Sequence, residues 1–131
     1  MKHNTISQRK MEQVKIESNS WKRLLDFFME ETVHAKNRLS DILSNGFDRN
    51  LLDELEDFQS QYIKQDEVIS LLRHEIAELN KLLLNENQNN GINRDLIERK
   101  LENLRHNLSN SERRFYDLQL EFNRYLSKEI N

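Results

Sequence analysis

Apolar positions recur at alternating steps of three and four along three stretches of the chain, Met11 to Ile42, Leu51 to Leu83 and Ile97 to Tyr125. That spacing puts one apolar stripe on each of three helices that pack along their lengths. The first stripe runs Met11, Val14, Ser18, Trp21, Leu25, Phe28, Thr32, Ala35, Leu39, Ile42. The second runs Leu51, Leu55, Phe58, Tyr62, Gln65, Ile69, Leu72, Ile76, Leu79, Leu83. The third runs Ile97, Leu101, Leu104, Leu108, Ser111, Phe115, Leu118, Phe122, Tyr125.

Two breaks separate the stripes, and each holds one of the chain's two glycines. In Ser44-Asn45-Gly46-Phe47, Gly46 supplies a left-handed helix stop and Phe47 folds back toward Leu43, after which Asp48 or Asn50 caps the next helix. The second break, Asn85 to Gly91, is too polar to pack. Ile92 and Ile97 flank Asn93 at the spacing of a hydrophobic staple around an N-cap, which starts the third helix. The pattern therefore predicts an all-α fold, an elongated antiparallel three-helix bundle with coiled-coil-like heptad packing. A single domain covers residues 1–131, with helices at about 8–44, 50–86 and 94–128 and residues 1–7 frayed. At 1.5 Å per residue each helix is roughly 50 Å long.

Short links set a register: facing residues of helices one and two should have numbers summing to about 94, and those of helices two and three to about 179. Trp21, Leu72 and Leu108 then share a layer, and Ile63 lies level with Tyr116. Phe28, Gln65 and Ser111 also fall close together, so Gln65 and Ser111 are expected to form one polar core layer. Two arrangements fit it. A Gln65–Ser111 hydrogen bond would fix register, as a polar seam residue does in coiled coils; alternatively, Gln65 reaches the rim while Ser111 makes room for Phe28.

Composition narrows the function more than the fold. Charged residues make up 33% of the chain and mean hydropathy is -0.90, yet the apolar residues are ordered in stripes, so the chain folds. Pro and Cys are both absent, which leaves the helices unbroken and excludes disulfides, as in a reducing compartment. No signal-peptide core and no run of eighteen apolar residues is present, and the expected location is the cytoplasm, away from membranes. Net charge is -3, unevenly spread. Residues 1–24 hold six basic and two acidic groups, whereas residues 25–86 hold six and fourteen. The basic start, with Arg9, Lys10 and Lys15, offers a weak contact for nucleic acid, but no basic stripe continues along the third helix.

Chemical motifs are incomplete. Glu31 and His34 match the Glu-x-x-His spacing of helical di-iron sites, but no second copy exists, Glu31 lies at the flank of the seam and His34 further out. His74-Glu75 starts a zincin-like motif whose second histidine position is Glu78. His74 and His106 share a level but sit on outer faces. Without Cys or a glycine loop, thiol catalysis and phosphate cradles are excluded. No cofactor, metal site or catalytic residue is expected, and the chain is read as a non-enzyme.

The segments Trp21-Lys-Arg-Leu-Leu-Asp-Phe-Phe-Met-Glu-Glu31, Phe58-Gln-Ser-Gln-Tyr-Ile63 and Leu72-Arg-His-Glu-Ile76 resemble a group of small, uncharacterised all-helical proteins of Bacteroidetes. The resemblance covers the first two helices and implies an all-helical protein with no assigned activity. Outside the stripes stand Phe27, Val33, Ile63, Leu71, Tyr116 and Leu120, the candidate surface for a protein partner or a homo-oligomer. The expected function is that of an interaction or scaffold protein. The alternatives are a metal- or small-ligand-binding protein using Glu31 and His34, and nucleic-acid contact through the basic first turns.

Overall fold

The computed structural model describes residues 8–86 and 94–130. Among them are three long helices and no strand: α1 spans Gln8–Ser44, α2 spans Leu52–Glu86 and α3 spans Arg94–Tyr125. A 3₁₀ turn, Arg49–Leu51, leads into α2, and a π turn, Leu126–Ile130, extends α3. The expectations for residues 1–7, for Gly91 and for Ile92 and Asn93 of the staple lie outside the described residues. The helices pack against one another as an all-α three-helix bundle. Cross-helix pairs give the directions. Ser18 meets Asn80 and Lys36 meets Asp66, so α2 is antiparallel to α1; Lys10 meets Glu98 and Glu17 meets Arg105, so α1 and α3 run parallel. Among the described residues, no helix is long and apolar enough to cross a membrane.

The first turn follows from its residues. Gly46 sits at φ +92, a conformation that costs an L side chain energy but a glycine nothing. The Asn45 amide closes onto the Asp41 carbonyl at 3.0 Å, and the Asp48 carboxylate accepts the Asn50 amide at 3.0 Å, capping the 3₁₀ turn. Phe47 and Leu43 both pack on the core beside this turn.

Every buried residue lies on one of the three stripes. Of the stripe positions, Leu51 and Tyr125, at the edge of the core, are half-buried. The core is nonetheless divided. One apolar cluster holds α1 up to Phe28, α2 from Ile69 onward and α3 from Ile97 to Phe115. The other holds Ala35 to Ile42, Leu55 to Tyr62, and Leu118 with Phe122, closed over by Phe47, Leu51, Leu126 and Ile130. Between them lie Thr32 on α1 and Gln65 on α2, both buried. Neither Thr32 Oγ1 nor Gln65 Nε2 has a hydrogen-bond partner. Ser18, also buried, differs: its hydroxyl donates to Asn80 Oδ1 at 3.2 Å.

The register departs from the sequence expectation on the α1–α2 side. The pairs Ser18–Asn80, Asp26–Arg73 and Lys36–Asp66 give sums of about 100, several residues further along α2 than a turn centred on Phe47 allows. Two causes combine. The 3₁₀ turn delays α2 and moves the centre of the connection past Phe47, and side chains on antiparallel helices each lean toward their own N-terminus. Gln65 therefore shares its level with Thr32 and Ala35, while Phe28 belongs to the cluster below. Trp21, Leu72 and Leu108 are all in that first cluster.

Candidate interaction surface

Two aromatic doublets, Phe27-Phe28 on α1 and Phe115-Tyr116 on α3, meet where the parallel helices run side by side. In each doublet one ring lies on the stripe and its neighbour, 100° around the helix, lies off it. The stripe rings Phe28 and Phe115 are buried and stack with centroids 4.2 Å apart. Phe27 meets Phe115 edge-on at 5.9 Å, and Tyr116 meets Phe28 edge-on at 6.1 Å. Such contacts are worth about 0.5–1.5 kcal/mol each beyond burial, so the outer rings are held in place. Phe27 remains 43% exposed and Tyr116 49%. The result is a rigid aromatic edge, backed by core and open to solvent.

Toward the start of α1 this edge continues into a groove of about 600 Å³ with Trp21, Leu24 and Leu108 among its lining residues. Glu17 and Arg105 cross the groove as a bidentate pair, at 2.9 and 2.8 Å. Beyond the aromatic edge, Tyr62 donates its hydroxyl to Gln119 Oε1. Its phenol is raised above its ordinary pKa, first by burial and then by the charges of Glu121 and Glu31.

The chain matches no family model, no curated protein and no solved structure.

The other off-stripe residues do not join this edge, although all are exposed. Val33 lies between Met29 and Lys36, both of which reach α2, and Ile63 is one turn before Asp66, which reaches α1. Those two therefore border the α1–α2 side. Ile63 is level with Tyr116 but borders α1 and α2, whereas Tyr116 borders α1 and α3. Leu71 is one turn before Glu75, which faces Lys100 of α3, and Leu120 stands on the outer face of α3. Three further exposed apolar residues, Ile16, Leu84 and Leu96, belong to the same class. Ile16 and Leu84 fall at one level near the α1–α2 border. Their signal in the sequence is only that they are apolar and off the stripe.

Gln65 and Ser111 are both buried, and both line a recess of about 370 Å³ between α2 and α3, flanked by Lys64, Arg114, Asp117 and Glu121. No hydrogen bond joins them among the described residues. A further buried polar side chain near Gln65's level is that of Thr32 on α1, whose methyl-bearing, heptad-spaced position gave no separate warning in the sequence.

Glu31 is half-buried at the flank of the stripe and His34 is exposed. His74 pairs with Glu78 at 3.6 Å, and His106 contacts Asn110 at 3.1 Å. Among the described residues, no three His, Asp or Glu side chains gather closely enough to hold a metal ion. Lys10 pairs with Glu98 across the α1–α3 groove. Arg9 and Lys15 are exposed on α1.

Proposed function

We propose that this protein is a non-enzymatic interaction module, working as a scaffold through the aromatic edge of α1 and α3. The supporting observation is the pair of half-exposed rings, Phe27 and Tyr116, fixed against the stacked Phe28–Phe115 core. Rigid aromatics bring large contact area at small entropic cost, which is why they dominate the energy of protein interfaces. The stripes themselves are consumed in holding the bundle together, so a partner has only off-stripe residues to engage. A chain without cysteine suits the reducing cytoplasm, where we place this activity.

A photo-crosslinking residue placed at 27 or 116 in living cells tests the reading. Protein adducts should form at these two positions in excess of those at Ser60 and Lys81, which are exposed on α2. Equal or lower yields at 27 and 116 would sink it.

A further inference from the structure

We infer that the partner at the aromatic edge is a second copy of this chain, docked α1 against α1, antiparallel, about a two-fold axis at Phe27. The inference rests on the reading of that edge as a working surface and adds the identity of its occupant.

Arg23, Phe27, Glu30 and His34 follow one another at steps of four, three and four, and so form one exposed stripe on α1, with Glu31 beside it. The charges on this stripe are antisymmetric about the ring: positive one turn before Phe27, negative one turn after. When two such helices cross antiparallel with Phe27 on Phe27, Arg23 of each copy comes level with Glu31 of the other and within one residue of its Glu30. Ser20 then lies opposite His34, small against large. A two-fold interface needs this kind of self-complementarity, because each contact is made twice by the same pair of residues. Tyr116, packed beside Phe27 through Phe28 and Phe115, widens the apolar centre from α3.

The charges on the stripe itself, Arg23 and Glu30, are not spent inside the bundle as their neighbours are. Asp26 and Lys36 are tied to Arg73 and Asp66 of α2, and Glu17 to Arg105 of α3. Arg23 and Glu30 make no ion pair among the described residues. A partner surface of one sign would be repelled at one end of the stripe, whereas a second copy satisfies both ends.

Sedimentation velocity over a concentration series tests this, with circular dichroism melts to confirm that each variant folds. The expected result is a monomer–dimer equilibrium in the unmodified chain that Phe27→Lys shifts to monomer. Arg23→Glu alone and the double variant Glu30→Arg/Glu31→Arg alone should each weaken self-association by about tenfold or more. Mixed in equal amounts, those two variants should form a heterodimer, since reversed charges now face each other correctly. A monomer at every concentration overturns the inference, as does a dimer indifferent to Phe27→Lys or a mixture that does not associate. The two readings fail separately. Photo-adducts at 27 and 116 that contain only other proteins would refute pairing of copies and leave the aromatic edge standing; an absence of adducts would remove both.

Discussion

Gln65 Nε2 and Thr32 Oγ1 are buried polar atoms without hydrogen-bond partners at the boundary between two apolar clusters, and replacement of these residues should stabilise the fold. Gln65→Met keeps length and nearly keeps volume while removing an amide whose Nε2 is unbonded. An uncompensated buried amide costs about 1–3 kcal/mol, so the variant should gain about 2 kcal/mol. Thr32→Val is close to isosteric and removes an unbonded hydroxyl at a position with no solvent exposure, for a gain of about 1 kcal/mol. In a chain of this size about 3 kcal/mol raises the melting temperature by roughly 10 °C. Urea denaturation of both single variants and the double variant, with unchanged slope, measures these values. The double variant should be more stable than either single one, with a coupling of about 0.5 kcal/mol or more between neighbours at one core level. The reasoning is refuted if each single variant is destabilised while the double variant recovers, because that coupling would mean that Thr32 and Gln65 hydrogen-bond to each other in solution.

Two other measurements follow from the same structure. Gly46→Ala has open space for its methyl group, yet at φ +92 it should lose about 1 kcal/mol, read as a lower urea midpoint. Tyr62 has a folded pKa raised above its unfolded value of 10.0, so the folded state holds the proton more tightly. The stabilisation this brings is intact below about pH 10 and is lost as pH rises beyond it. Tyr62→Phe should therefore flatten the decline of melting temperature under alkaline conditions, and an equally steep decline would show that another group is responsible.

The heptad stripes made the fold legible because one period governs both helix formation and burial. Residues such as Leu25, Tyr62 and Leu104 could be placed in the core from spacing alone. The exact pairing of α1 with α2 was less legible. It depends on how many residues the Asn45–Leu51 connection spends before α2 begins, and a 3₁₀ turn there is a local choice that periodicity does not record. Thr32 was hidden for a different reason: its stripe position announces burial, but whether its hydroxyl finds an acceptor is decided by neighbours on α2. The aromatic edge had a visible sign in the doublets Phe27-Phe28 and Phe115-Tyr116, since parallel helices bring equal patterns side by side. Its separation from Val33, Ile63, Leu71 and Leu120 emerges only once the side of the bundle that each residue borders is known.

The division of the core at Thr32 and Gln65 gives each helix a share in two apolar clusters, one at either end of the bundle. The buried apolar residues fall into one cluster on each side of that boundary, so thermal fluctuations should loosen one end while the other keeps its packing. The end closed by Phe47, Leu126 and Ile130 joins the first turn to the final turn of the chain. Amide protons there should exchange in a group of their own, on a timescale distinct from that of the amides around Trp21 and Leu79.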